Sequence, residues 1–472
     1  MDRRTDRFVG EVWSVSDLGE LRIPAARLAL GAPNRNPLQS EIKLGAQFIA
    51  SNRASFNLFG VSARLEPSAG GVNIALHTRN EIGAFALISP STGRHDHGLV
   101  IRPRFGWRGV GALMAEVGAK VFPHIPQLPA LPRSEHEVPR WVLAAIVLVR
   151  LELLIAEPMR KFREVRTVLD RPRGRIDWGE YVARFVARNE PQRVPCEFSE
   201  LGPDAPLLGA VHAAVLAQLQ SLQRIKSDSF LINRLIARFE VVRQAVAMYP
   251  PTWTALVRTR TSLTSALHVE ALEAMAWTHE ERGLAGRSSF AGLPWRLSMS
   301  EVFEARVESV ARQIARFSGG AVKTGRLRET QRALRWDPPY AGSQRTLVPD
   351  VEIVRGSETL IFDAKYKSHW EEFAAGGWRG ADELVKDAHR HDLLQVLAYG
   401  ASTAGQKITC ILVYPCTTET WVTLLQSGRH FSRASVPAGD RSISLILAAI
   451  PFERSLAEIA TAFAGVLFDK ST

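Results

Sequence analysis

The chain has 472 residues, of which 46% are hydrophobic and 23% charged, with a formal net charge of +11. These proportions exclude a disordered or low-complexity protein, and the length exceeds what one core usually holds (roughly 250–300 residues), so two to three domains are expected. The surplus of Lys and Arg suits a phosphate-rich partner, while three widely spaced cysteines, Cys196, Cys410 and Cys416, with no C-x-x-C pair, argue against an iron–sulfur or zinc centre and fit a reducing cytoplasm.

In chain order, the first segment MDRRTDRF is charged and leads into no apolar run, so no signal peptide is expected. From Phe8 to about Phe105, short alternating segments such as Glu41 to Ala50, Val72 to Thr78 and Gly98 to Arg102 are separated by Gly, Asn, Ser and Pro. This pattern predicts a β-rich domain over residues 1–122. His95-Asp96-His97 could ligate a metal, but without a third ligand nearby it reads as a loop with exposed histidines. Trp107 to Val121 predicts a helix, and the Pro-rich PHIPQLPALPR (Pro123 to Arg133) predicts a linker.

Residues 123–290 predict a central helical domain, with apolar residues at three- and four-residue spacing over Trp141 to Phe162, Gly179 to Arg188, Ala205 to Leu222, Phe230 to Met248 and Leu267 to Arg282. The most apolar run, Trp141 to Ala156, is interrupted by Arg150 and Glu152 and is too short to span a bilayer. Arg171, Arg173 and Arg175 around Gly174 make a basic turn that could meet a phosphate backbone, a partner's acids or only solvent, and Arg258 and Arg260 raise the same alternatives.

Residues 291–472 alternate helix and strand. A helix from Ser300 to about Phe317 precedes strands at Val322 to Leu327 and Arg332 to Trp336, then a hairpin, a helix from Ala381 to Ala404 and a buried strand from Ile408 to Tyr414. Edge strands at Trp421 to Leu425 and Ser442 to Ala448 and a terminal helix from Leu456 to Phe468 complete the series. The loop Gly376 to Gly380 reads as a flexible insertion, with Arg379 and Lys386 as candidate phosphate contacts.

The hairpin LVPDVEIVRGSETLIFDAKYK, Leu347 to Lys367, carries the chemistry. Residues two apart in a strand share a face, so Asp350 and Glu352 point one way on the first strand, while Ile361, Asp363, Lys365 and Lys367 lie together on the second. Acids and a lysine held between apolar residues are costly unless something polar meets them. Asp350 and Asp363 suffice to anchor Mg²⁺, and Lys365 could orient or deprotonate water and offset charge on a phosphate under attack, which suits phosphodiester hydrolysis. An edge hairpin with a solvated salt bridge is the plainer alternative.

Pro349-Asp350 followed by Asp363-Ala364-Lys365 resembles the PD-(D/E)xK nuclease signature. Met299 to Val307 resembles the first helix of that core, with Glu304 at the position of a further acid. Asp392-Leu393-Leu394-Gln395 and Tyr399 resemble the helix that follows, with Asp392, Gln395 and Tyr399 on one helical face. With Gly174 to Trp178 and Pro195 to Leu201 in the middle, the chain resembles the McrC-like nuclease subunits of McrBC-type modification-dependent restriction systems. The likeness is specific from Met299 to Tyr399 and at the two central patches, and loose elsewhere.

The resemblance implies a restriction-endonuclease-like α/β core, Mg²⁺ (or Mn²⁺) held by Asp350, Asp363 and Glu304, and Lys365 positioning water. Gln395 and Tyr399 would buttress the site, with Glu352 as a reserve ligand. It also implies double-stranded DNA as substrate and an AAA+ GTPase ring contacting the N-terminal part. The sequence has no G-x-x-x-x-G-K-S/T loop, so the nucleotide-driven motor is expected on another polypeptide. An interaction subunit that stimulates an NTPase, and a stand-alone nuclease, remain as alternatives.

Overall fold

The computed structural model describes residues 10–29, 36–117, 121, 123–126, 128–132, 139–225, 230–254, 265–280, 292–338, 340–374, 377–438 and 441–468. Residues 1–139 together with 283–472 form one compact unit, and residues 140–282 form a second. The N-terminal octapeptide, Arg258 and Arg260 lie outside the described residues.

The first unit is built around a six-stranded mixed sheet. Its strands run Ala321–Thr324, Val351–Arg355, Glu358–Ala364, Lys407–Cys416, Arg441–Pro451 and Phe431–Ala438 in spatial order. The two pairs at the first edge and the pair at the far edge are antiparallel, and the two central pairs are parallel. Helix Met299–Ser318 packs on one face with helix Leu456–Phe468, and helix Glu383–Ala401 covers the other. Alternation decides which residues meet which helix. Ile361 joins Val396, Tyr399, Leu412 and Tyr414 in one core cluster, while Phe362 turns the other way onto Phe463. The hairpin turns at Gly356, whose φ of 57° meets the positive-φ need of a two-residue loop between Arg355 and Glu358.

The N-terminal part of the same unit holds two smaller sheets. In one, Glu20–Pro24, Gly71–Thr78 and Val61–Ser68 pair antiparallel beneath helix Pro37–Leu58. That helix replaces the strand expected at Glu41 to Ala50. Pro37 sits at its first turn, and Phe48, Asn52 and Phe56 recur every four residues on its buried side, a helical period that overrides the local alternation. The other sheet orders Val12–Ser16, His97–Arg102, Glu81–Leu87 and Trp295–Ser298. Its last strand comes from the far side of the chain and runs directly into helix Met299–Ser318.

Several other expectations are corrected. Trp421 to Leu425 belongs to helix Thr418–Gln426, because the Thr417 hydroxyl accepts from the Thr420 N–H at 3.1 Å as an N-cap and Trp421 is buried against the sheet. Ser442 to Ala448 is an interior strand, paired on both sides. The Pro-rich stretch is tied down rather than loose, through ladder bridges from His124 to Arg296 and from Leu131 to Gly292. His97 is buried, stacked on Trp13 at 4.8 Å, and its Nδ1 accepts from the Glu11 N–H at 3.1 Å, so it is no exposed loop histidine. Burial holds its pKa below the usual histidine value.

The second unit packs helices Arg140–Ala156, Ala205–Gln223, Phe230–Val246 and Ala266–His279 together. The first helix stops before Pro158, and Arg160–Leu169 continues as a strand, where a helix through Phe162 is expected from periodicity. Ala205–Gln223 is the one described helix long and apolar enough to cross a bilayer, and most of it is buried. The two central patches pair with one another as strands, Arg175 with Glu197 and Ile176 with Cys196. In the basic turn, Arg175 meets Glu197 at 3.0 Å and Arg173 lies over the Phe198 ring at 4.3 Å.

A Cβ added to Gly83 would stand 2.1 Å from the Trp295 carbonyl oxygen, where the Trp295–Ser298 strand joins the N-terminal sheet. Gly83→Ala is therefore expected to cost about 1–3 kcal/mol, read as a melting temperature lower by several degrees in calorimetry. An unchanged melting temperature would show that this strand yields freely.

Candidate functional site

The site forms at the open end of the Val351–Arg355 and Glu358–Ala364 hairpin. Asp350 lies one residue before its strand and is pinned there, its carbonyl accepting from the Gly325 N–H at 2.8 Å. The preceding Pro349 carbonyl takes the Thr330 hydroxyl at 2.5 Å. The Asp350 Oδ2 accepts from the Ala364 N–H at 2.7 Å, which brings it against the end of the partner strand. Antiparallel pairing of Val351 with Phe362 places Asp350 opposite Asp363. Asp363 is buried at 1% exposure, with the Lys365 Nζ 2.8 Å from its Oδ2. Strand pleating therefore sets Asp363 and Lys365 on one face, as the sequence pattern implies.

Glu304 reaches the same mouth from helix Met299–Ser318. Val302, Phe303, Ala305 and Arg306 are buried around it, whereas Glu304 itself lies on the exposed side of the helix. Although the residue as a whole keeps an exposed surface, its carboxyl is raised by desolvation at the mouth and then by the Glu301 and Asp363 charges, against the pull of Lys365. Burial with the Asp363 and Glu304 charges pushes Asp350 up to about 8, against the Ala364 N–H and Lys365. Asp363 is raised as well, by burial, with Lys365 opposing. Burial would lower the Lys365 ammonium, but Asp363 and Asp350 outweigh it and the net shift is upward, so Lys365 is a firm cation.

Gln395 and Tyr399 line the flank. The Gln395 amide donates to the Tyr399 hydroxyl at 2.7 Å, as expected for residues one turn apart. Tyr399 is buried, and its phenol is raised by burial and by the nearby Asp363 and Asp350 charges. Glu352 is not available in the way expected of a reserve ligand, because the Arg332 guanidinium pairs with it and also donates to the Tyr399 carbonyl at 2.8 Å. Asp392, which shares the helical face with Gln395, turns to Lys367, whose Nζ lies 2.7 Å from both carboxylate oxygens. The Tyr414 hydroxyl donates to Asp392 at 3.0 Å, and His389 Nδ1 meets that hydroxyl at 3.1 Å.

Sequence reasoning passed over Arg332, His389 and Tyr414. Only His389 carried a signal, its three-residue spacing from Asp392 along one helix. Lys386 pairs with Glu383 at 2.8 Å, which occupies one of the two candidate phosphate contacts, and Arg379 is exposed on the short turn Gly377–Gly380.

The donor set fits a small hard cation. The three carboxylates offer the oxygen ligands such an ion takes, and a divalent ion would relieve the repulsion that raises Asp350 and Glu304. Among the described residues the ligand atoms that all lie within 4.8 Å of one another are those of Glu20, Glu66 and His77, so Asp350, Asp363 and Glu304 would have to draw closer together to share one ion.

No curated protein matches the chain. Two solved structures resemble it at low identity. One is a refined half-complex from the tetradecameric assembly of Thermococcus gammatolerans McrB AAA+ hexamers with bound McrC, at 12% identity and a TM-score of 0.41, covering 97% of this chain and 100% of that one. The other is the cryo-EM structure of the Thermococcus gammatolerans McrBC complex, at 16% identity and a TM-score of 0.27, covering 64% of this chain and 88% of that one. The family described as McrBC 5-methylcytosine restriction system component matches residues 99–415, a span that takes in Glu304, Asp350, Asp363, Lys365, Gln395 and Tyr399. That match covers well over half of the sequence, and the chain belongs to the McrBC 5-methylcytosine restriction system component family.

Proposed function

We propose that the chain is the McrC-like nuclease subunit of an NTP-dependent, modification-dependent restriction complex of the cytoplasm. It hydrolyses phosphodiester bonds of double-stranded DNA with Mg²⁺ or Mn²⁺ when an AAA+ GTPase partner engages it. One observation carries the reading: Asp350, Asp363 and Lys365 converge at a sheet mouth with Glu304 beside them. Membership in a restriction-system family supports DNA as the substrate and a ring partner as the motor.

Asp350, Asp363 and Glu304 would hold the cation, which when bound offsets phosphate charge and acidifies a coordinated water. Lys365, kept protonated by Asp363, serves as a hydrogen-bond donor and positive charge rather than as a base. It would orient the attacking water and stabilise charge that develops on the phosphate oxygens. Tyr399, held by Gln395, walls the site on the opposite side from helix Met299–Ser318 and stays a neutral phenol. The surplus positive charge of the chain favours the approach of DNA.

Asp363→Ala and Lys365→Ala should each lower DNA cleavage by about 10²-fold or more while leaving the fold and DNA binding intact. Gel assays of plasmid cleavage with circular dichroism test this, and cleavage at wild-type rate by either variant overturns the site. The raised carboxyls also fix a pH dependence. Groups whose folded pKa lies above the unfolded value stabilise the metal-free fold most below the unfolded pKa of about 4, and this contribution is lost as pH rises through about 7 to 8. The metal-free melting temperature should therefore fall between about pH 5 and pH 8, and Mg²⁺ should raise it more at pH 8 than at pH 6. Asp350→Asn should flatten both trends, and a Mg²⁺ effect independent of pH in the wild type would contradict the assignment.

A further inference from the structure

The strand that carries Asp363 ends at Ala364, and Lys365 lies just beyond the ladder. One backbone bond still ties it to the sheet, from the Lys365 N–H to the Val413 carbonyl at 2.8 Å. A residue leaving a sheet needs a second anchor if its side chain is to keep one direction. Tyr366 follows it, on the opposite face by alternation, and is buried. Its hydroxyl donates to the Asp17 Oδ2 at 2.6 Å, a contact between residues 349 positions apart.

Asp17 is itself 1% exposed and is fixed from a second side, its Oδ1 accepting from the Arg104 N–H at 2.5 Å. The Arg104 guanidinium lies over the Tyr366 ring at 4.7 Å and donates to the Ser368 hydroxyl. The Tyr366 ring also stacks on Phe452 at 6.1 Å and meets Phe303, the residue before Glu304, at 6.3 Å. One ring therefore backs Lys365 along the chain and Glu304 through Phe303. Two apolar side chains would close the same seam without burying a carboxylate, so what the phenol and carboxylate add is direction. A directional bond fixes rotation of the strand end about its axis, and that rotation sets where the Lys365 ammonium points.

We propose that Tyr366 and Asp17 are positioning residues for cleavage, an inference that rests on the nuclease reading above. Their buried hydrogen bond, made between the N-terminal layer and the residue after Lys365, holds the ammonium against Asp363. Neither side chain needs to touch substrate.

The test uses the full chain assembled with its AAA+ partner, plasmid DNA and Mn²⁺, and compares single-turnover cleavage rate with DNA affinity. Tyr366→Phe removes one oxygen and keeps the packing, and should slow cleavage about tenfold to a hundredfold with DNA affinity unchanged. Hydrogen exchange at the Lys365 amide should speed up in the same variant. Asp17→Ala should match it, whereas Asp17→Asn, which can accept from the Arg104 N–H and donate to the phenol oxygen, should stay within about twofold of wild type. Tyr366→Phe cleaving at the wild-type rate, or cleavage and DNA affinity falling together in it, overturns the positioning role. Lys365→Ala is the control: wild-type cleavage there would overturn the nuclease reading itself.

Discussion

Like charges crowded at the end of a sheet are the constraint on which the site depends. Asp350 faces Asp363 because antiparallel register puts them there, and Glu304 comes from helix Met299–Ser318, whose opposite side is buried in the core. Asp350 and Glu304 are raised by desolvation together with neighbouring carboxylate charges, Asp363 is raised chiefly by burial, and Lys365 pairs with Asp363. The chain accepts that unfavourable arrangement because the strands on either side are held by apolar contacts that leave no room to splay. Phe362 against Phe463 and Ile361 against the Tyr399 cluster fix the hairpin from both faces.

Around this centre the polar residues are sorted by charge balance. Glu352 has the face that would let it join the acids, yet Arg332 neutralises it. Asp392 has the helical face that would point it inward, yet Lys367 and Tyr414 take its oxygens. Each removes one negative charge from an already crowded mouth. Neither is left as a further ligand beside the carboxylates proposed for the cation, Asp350, Asp363 and Glu304.

The hairpin was legible in the sequence because both of its signals are local: pleating sets the faces and Gly356 sets the turn. Gln395 and Tyr399 were legible for the same reason, one turn of one helix. The helix Thr418–Gln426 was not, since Trp-Val-Thr-Leu-Leu has strand propensity and only the Thr417 cap and the burial of Trp421 reverse it. The helix Pro37–Leu58 was missed because a ten-residue window catches alternation before it catches the four-residue spacing of Phe48, Asn52 and Phe56. Nothing local marks the pairing of Asp17 with Tyr366 or of Arg332 with Glu352. Both arise only once strands distant in the chain are brought together.

The strand Trp295–Ser298 has a further consequence. It covers the side of Glu81–Leu87 not already paired with His97–Arg102, so the N-terminal sheet is incomplete until residues about 200 positions later leave the ribosome. At about 5–20 residues per second, that edge stays open for roughly 10–40 seconds of synthesis. Ile82, Ala84, Phe85, Ala86 and Leu87 on it are all buried in the finished fold. An open edge bearing such residues is prone to pair with another nascent chain until Trp295–Ser298 closes it.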